Sequence, residues 1–380
     1  MTDRGPNEPL IGIPGSRARL DTPALVLDLD LMERNIATMA AHARAVGVAL
    51  RPHAKTHKSI RIAELQVAAG ALGVCCATMG EAEIMVRAQI PGVHITSPQV
   101  TPSKIARLIE LNADNHHGLS VVVENPRNLA EIESAARAAG KPLDVIVDFF
   151  ANHGRTGAAT EADAVALAQA VAQSGILRFR GIQSYMGNVQ HVAVRAERRR
   201  RTLEMLRRVA AIVQQLESQG IKAPLVTGAG TGTYDLDPEA RVFTELQVGS
   251  YVFMDVDYNR ALKEDRNELP FATSLFVQTA VVSTNAPDWV TCDAGLKCFA
   301  TEGPKPEIAR GAPPGSTYTW FGDEHGKLIL PPGAPRPEIG HKIECVTPHD
   351  DPTVNLHDFY HVVRGETLVD IWPVDARGKH

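Results

Sequence analysis

A chain of 380 residues and 41.0 kDa, 44% hydrophobic and 22% charged, has ample apolar content for a buried core and too little charge for a disordered polymer. Its length suits two domains, or one large barrel with an addition. A formal charge of -5 gives no reason to expect nucleic-acid or membrane-surface binding, and the run Arg198-Arg199-Arg200-Arg201 reads as the solvated face of a helix.

Five cysteines, with Cys75 and Cys76 adjacent in an apolar segment, fit neither a disulfide framework nor a zinc spacing. They read as buried reduced thiols. The N-terminal stretch has no apolar core of a signal peptide, and no run of about eighteen apolar residues occurs. A cytoplasmic protein is expected.

From about residue 24 short apolar runs alternate with helical patterns. Strands are predicted at 24–30, 48–53, 73–78, 93–97, 119–124, 143–149, 180–185, 224–228 and 245–249. Segments such as 31–46, 81–89, 102–112 and 128–139 carry apolar residues at helical spacing between them. The strand runs are continuously apolar, as in parallel strands covered on both faces. Eight or nine such units predict a (β/α)8 TIM-like barrel over 24–265; a doubly wound open sheet is the competing architecture. Beyond that, helical periodicity fades and Pro and Gly rise. Residues 266–380, joined by 1–23, are expected to form a second, mostly antiparallel β domain.

In such barrels the chemistry lies at the C-terminal strand ends. There the chain places RPHAKTHK (51–58), DFFANHGRTG (148–157), QSYMGNVQH (183–191), TGAGTGT (227–233) and QVGSY (247–251). The glycine-rich turn, with Gly249-Ser250-Tyr251 on the following run, offers N–H groups and hydroxyls for a phosphate. Alone it is equally a plain loop. Lys55 shares a strand face with His53 and points into the barrel mouth, where desolvation lowers an ammonium pKa as Schiff-base chemistry requires. A phosphate cradle and an inward lysine point to pyridoxal phosphate. In PHDDPTVN (348–355), an extended backbone sets His349 and Asp351 on one side. Together they suit a divalent cation, Mn²⁺ before Ca²⁺, with Mg²⁺ or Co²⁺ as alternatives; a solvated acidic turn is the plainer reading.

Taken in order, RPHAKTHK, HGRTG, QSYMGNVQH, TGAGTGT, ELQVGSYVFMD and PHDDPTVN resemble the fold-type III pyridoxal-phosphate enzymes of the D-threonine aldolase and D-serine dehydratase family, from about residue 20 to the C-terminus. The resemblance implies an alanine-racemase-type barrel, a β domain and a homodimer. It makes Lys55 the Schiff-base lysine and places Thr227, Gly228, Gly230, Thr231, Gly249, Ser250 and Tyr251 in phosphate-binding segments. Arg155 falls near the cofactor's phenolic oxygen, Tyr185 along its ring, and Gln247 opposite its pyridine nitrogen. His349 and Asp351 become the metal ligands. Members that dehydrate D-serine carry a cysteine at the position of Asp351, so the carboxylate here resembles the aldolase branch. His191 is the candidate base for the substrate's β-hydroxyl proton. The expected reaction is cleavage of a D-β-hydroxy-α-amino acid, D-threonine, to glycine and an aldehyde. The alternatives are 3-hydroxy-D-aspartate cleavage, or dehydration of D-serine or 3-hydroxyaspartate.

Overall fold

The computed structural model describes residues 4–114, 117–150, 154–263 and 268–380. They form two compact units: Met39–Lys55, Ile60–Gly249 and Lys379–His380 in one, and the residues up to Thr38, Thr56–Ser59 and Ser250–Gly378 in the other. The strands of the first half are β1 (Ala24–Asp28), β2 (Ala49–Leu50), β3 (Cys75–Cys76), β4 (Val93–Ile95), β5 (Leu119–Val123), β6 (Leu143–Asp148), β7 (Leu177–Ser184), β8 (Leu225–Gly228) and β9 (Glu245–Leu246). Between them run α1 (Leu29–Val46), α2 (Ile60–Ala68), α3 (Met79–Arg87), α4 (Pro102–Asp114), α5 (Pro126–Ala139), α6 (Glu161–Gln173) and α7 (Arg195–Ser218).

Eight strands form one parallel sheet in the order β2-β9-β8-β7-β6-β5-β4-β3. A parallel bridge between His53 and Cys75 closes it into a ring, with Cys75 N–H on the Pro52 carbonyl and Ala54 N–H on the Cys75 carbonyl, each at 2.8 Å. The apolar runs disappear from water as their composition requires: Val121–Val123 and Val145–Val147 are fully buried. Local signals set the helix ends. Thr78 and Glu81 form a capping box on α3, and Asn125 with Pro126 opens α5, which Gly140 closes in the left-handed region. In β7 the pairing with β6 slips by one residue before Gly181. Gly181 has φ 147°, and a Cβ there would lie 1.6 Å from the Leu225 carbonyl oxygen, so only glycine lets β8 pair at this point.

The second unit contains β1 with β10 (Leu275–Ser283), β11 (Trp289–Cys292), β12 (Glu307–Arg310), β13 (Thr317–Trp320), β14 (Gly326–Ile329), β15 (Lys342–Val346), β16 (Phe359–Arg364) and β17 (Thr367–Pro373), and the helices α8 (Val256–Lys263) and α9 (Asp350–Val354). The sheet runs β13-β14-β11-β10-β1-β16-β17, with β15 joining β10 to β12. Here the structure departs from expectation. The run at 24–30, predicted as the first barrel strand, pairs antiparallel to β10 and parallel to β16 instead. Its side chains are buried on both faces, which suits either sheet, so apolar pattern did not distinguish them. The short strands β12, β13 and β14 escaped prediction among prolines and glycines, and the FGDEHG segment is the turn joining the last two.

Residues before β1 do return to this sheet: Gly12 N–H bonds the Leu368 carbonyl at 2.8 Å. Arg17 is buried there and grips Glu344 with two bonds of 2.7 and 2.8 Å, while Gln278 donates to the same carboxylate. Arg17→Ala would strand the Glu344 charge in the core, a loss of about 3–5 kcal/mol that urea denaturation should register. The basic run on α7 is also mixed. Arg199 is exposed and paired with Glu239, Arg200 with Glu197 and Glu204, and Arg201 with Glu197, but Arg198 is fully buried and donates to the Val192 and Ala193 carbonyls. All five cysteines are buried and free, and no described helix is long and apolar enough to cross a membrane.

Candidate active site

Most predicted cofactor residues stand on one rim of the parallel ring, at strand C-termini. Lys55 follows β2 and is half-buried, its backbone N–H 3.5 Å from His53 Nδ1. His53 itself points inward, with Nε2 3.1 Å from the Thr96 hydroxyl, as the alternation along the strand predicted. Arg155 follows β6 and Tyr185 follows β7; the guanidinium lies over the phenol ring at 5.3 Å. Ala151, Asn152 and His153 of the same loop lie outside the described residues. Thr227 and Gly228 end β8, and Gln247 and Gly249 follow β9. His191 is exposed in the turn before α7.

Beneath this rim the ring encloses a chain of polar side chains of which the motif reading named only Thr227 and Gln247 as site residues. Gln183 Oε1 accepts from His94 at 2.9 Å and from Gln247 at 3.1 Å, and its amide donates to Asp148 and to the Thr96 carbonyl. Gln247 gives its second N–H to Thr227, whose hydroxyl donates to Glu245, which holds Arg51. Both amide hydrogens of Gln247 are therefore spent within the protein, and donation to a ring nitrogen requires one of these bonds to open. Burial drives two of these groups toward neutrality: His94 falls to about 4, and Asp148 rises to about 6 although Gln183 and Thr156 bond it. The available signal was polar residues inside otherwise apolar strand runs, each of which must find a partner when buried.

The glycine-rich turn is tied down from within. Ala229 sits in the left-handed region at φ 69° between two glycines, a geometry in which successive N–H groups converge. Thr231 and Thr233 are buried, and the Thr233 hydroxyl lies 2.6 Å from Asp237. Burial, reinforced by Asp235, pushes the Asp237 carboxyl up to about 8 against the lowering effect of Thr233. The folded chain thus holds a proton that the unfolded chain releases above about pH 4, so this group's contribution to stability is lost as pH rises from about 4 to about 8. Asp237→Asn should flatten that slope: the gap between its denaturation midpoints at pH 5 and pH 8.5 is expected to be smaller than the wild-type gap.

In the second unit, Ser250 and Tyr251 are buried in a 3₁₀ turn rather than a strand, and Tyr251 meets Phe271 edge-on at 5.7 Å. The segment PHDDPTVN is helical, not extended. His349 is the extended N-cap (φ -147°) and Asp350–Val354 forms α9. Pro352 cannot donate within a central strand, but it is tolerated in a helix's first turn, where its missing N–H is not needed. His349 Nδ1 lies 3.0 Å from Glu302 Oε1, so Nδ1 carries the proton given to the carboxylate and the neutral ring keeps its lone pair on Nε2. Asp350 is the buried member. It is bonded by Thr347, its backbone N–H reaches Asp255, and burial holds its carboxyl well above the usual range. Asp351 is half-buried beside it. Among the described residues no group of three or more His, Cys, Asp or Glu assembles a metal cage. Cys345, the cysteine nearest in sequence, is buried in β15 with its thiol pushed well up by burial.

A closed parallel ring with a lysine at the end of its first strand and an antiparallel second unit is the alanine-racemase-like architecture. A profile of the alanine racemase N-terminal domain matches residues 27–257, and one of a serine dehydratase domain matches 274–363. D-Threonine aldolase of an Arthrobacter species is 43% identical over 95% of this chain and 94% of its own length. A 3-hydroxy-D-aspartate aldolase of Paracoccus denitrificans is 35% identical over 97% of this chain and 95% of its own. The crystal structure of D-threonine aldolase from Filomicrobium marinum, 40% identical, superposes with a TM-score of 0.90 over 95% of this chain and 96% of that one. The chain belongs to the D-threonine aldolase family of alanine-racemase-like proteins.

Proposed function

We propose that this protein is a lyase that uses pyridoxal phosphate and a divalent cation to cleave D-β-hydroxy-α-amino acids, D-threonine foremost, into glycine and an aldehyde. The rim fits the cofactor. A half-buried lysine is available for its aldehyde, the left-handed turn at Ala229 for its phosphate, and the Arg155–Tyr185 stack for a flat ring bearing an anionic oxygen. Lys55, Arg155, Tyr185, Thr227, Gly228, Gly230, Thr231, Gln247, Gly249, Ser250 and Tyr251 would hold it. When bound, it supplies a carbonyl for the substrate amine and a conjugated system that takes up the electron pair left at Cα. His349 and Asp351, an imidazole and a carboxylate, fit Mn²⁺ with water or substrate oxygens completing the shell, and Mg²⁺ or Co²⁺ as alternatives. Such an ion supplies positive charge for a developing alkoxide.

The chain's own residues then divide the proton work. His191 takes the β-hydroxyl proton as the Cα–Cβ bond breaks and the C–O bond becomes a carbonyl. Lys55 would return a proton to Cα, and glycine results. The observation that carries the aldolase reading over dehydration is Asp351 beside His349. A thiolate at that position would make a softer site suited to Zn²⁺, and the nearby Cys345 is buried with its thiol held protonated. Cleavage of 3-hydroxy-D-aspartate is the second reading, supported by the 35% identical relative that bears that name. The enzyme is taken to act as a cytoplasmic homodimer, with no nucleic-acid or membrane partner.

The test is incubation with D-threonine and Mn²⁺, with and without EDTA, assaying glycine, acetaldehyde, ammonia and 2-oxobutyrate together. Metal-dependent glycine and acetaldehyde in equal amounts are expected. Ammonia and oxo acid without glycine would reassign the protein to dehydration, and turnover of 3-hydroxy-D-aspartate alone would favour the second reading.

A further inference from the structure

Gln190 joins two loops that leave neighbouring strands of the ring. It lies in the turn after β7, one residue before His191, and is 1% exposed. Its Oε1 accepts the Gly232 N–H at 2.9 Å, and its Nε2 donates to the Thr233 hydroxyl and to the Met186 carbonyl, each at 3.2 Å. Because a carbonyl only accepts and a peptide N–H only donates, this amide has one possible orientation. The Thr233 hydroxyl is equally committed. It accepts from Gln190 and from the Gly230 N–H, and its own hydrogen goes to Asp237.

The glycines of the turn answer to the same side chain. A Cβ on Gly230 would lie 2.4 Å from Gln190 Oε1, and one on Gly232 would lie 2.0 Å from the Gln190 carbonyl oxygen. A side chain at either position would thus collide with Gln190, with its amide end at Gly230 and with its backbone at Gly232. Nothing in the motif itself announces this, since forty residues separate Gln190 from Gly230.

We infer that Gln190, acting with Thr233, is the positioning residue for the phosphate cradle: by engaging the Gly232 N–H and the Thr233 hydroxyl it holds the 228–233 turn in the shape that presents the turn's other N–H groups to a phosphate dianion, and it ties that turn to the segment carrying His191. The inference rests on the reading of the turn as a phosphate site for pyridoxal phosphate. Loss of the clasp frees the Gly232 N–H and the Thr233 hydroxyl and lets the turn relax, so the cost falls on the phosphate and spares the aldehyde and ring.

The experiment strips the full-length holoenzyme of cofactor and titrates it with pyridoxal phosphate and with pyridoxal, which lacks the phosphate, following absorbance. Gln190→Ala is expected to weaken the phosphate ester about 10- to 100-fold while pyridoxal shifts by less than about 3-fold. Gln190→Glu, which still accepts from Gly232 but has no N–H for Thr233, should fall between. The ³¹P resonance of the bound ester should move toward its free position in both variants. Equal losses for the two ligands, or none, would overturn the clasp. Should Gln190→Ala fold poorly, Thr233→Val removes the same node from the other loop and must show the same phosphate-selective loss. Wild-type protein that binds neither compound would instead overturn the cofactor reading, and the clasp with it.

Discussion

Lys55→Ala is expected to lower glycine formation from D-threonine by about 10⁴-fold and to abolish covalent capture of the cofactor. Borohydride reduction followed by peptide mass spectrometry should mark Lys55 in the wild-type chain and nothing in the variant. The informative control is Lys58, three residues on in the same RPHAKTHK string. Its backbone turns into the left-handed region at φ 50°, it is 6% exposed, and its Nζ lies 3.5 Å from the Ala376 carbonyl. A buried ammonium tied to a C-terminal carbonyl is structural cement, so Lys58→Ala should lower stability and leave the reductive mark at Lys55. A mark that moved to Lys58 would overturn the assignment of both lysines.

The second large effect is expected at the start of α9. Removing either donor, His349→Ala or Asp351→Ala, should weaken Mn²⁺ binding by at least about 100-fold, measured by calorimetry, and should make activity insensitive to EDTA because little remains to lose. Asp351→Cys is the sharper variant. It converts a carboxylate into a thiol and should shift preference from Mn²⁺ toward Zn²⁺. If Asp351 selects cleavage over dehydration, the same variant should release ammonia and 2-oxobutyrate where the wild type releases glycine. Asp350→Ala should behave differently, since that carboxyl is buried, accepts from Thr347 and serves packing. Its cost belongs to stability, and a selective loss of Mn²⁺ affinity there would contradict the division of labour drawn between the three residues of this turn.

The legibility of these sites varied with the range of the forces involved. The strand and helix sequence from β2 to β9 was readable because each element carries its own period and punctuation within a dozen residues, as the Thr78–Glu81 capping box and the Asn125-Pro126 helix start illustrate. Lys55 was singled out by a local property, alternation along a strand, although the strand proper ends at Leu50 and Lys55 stands in the turn that follows. The segment of the proposed metal pair was chosen by residue type. Its backbone was misjudged, because Pro352 excludes a central strand and opens a helix equally well.

By itself, the amino-acid sequence determined that this chain builds a parallel β/α unit and an antiparallel one. Tertiary structure decided the rest. Whether Ala24–Asp28 joins the ring or the other sheet depends on which edge offers an unpaired ladder, and burial on both faces is common to the two outcomes. The buried row from His94 through Gln183 and Gln247 to Glu245, and the clasp of Gln190 on the glycine turn, depend on hydrogen bonds between residues 18 to 89 positions apart. A side chain's hydrogen-bonding capacity is written in its identity, but the partner that satisfies it is selected only when the strands are brought side by side and water is excluded.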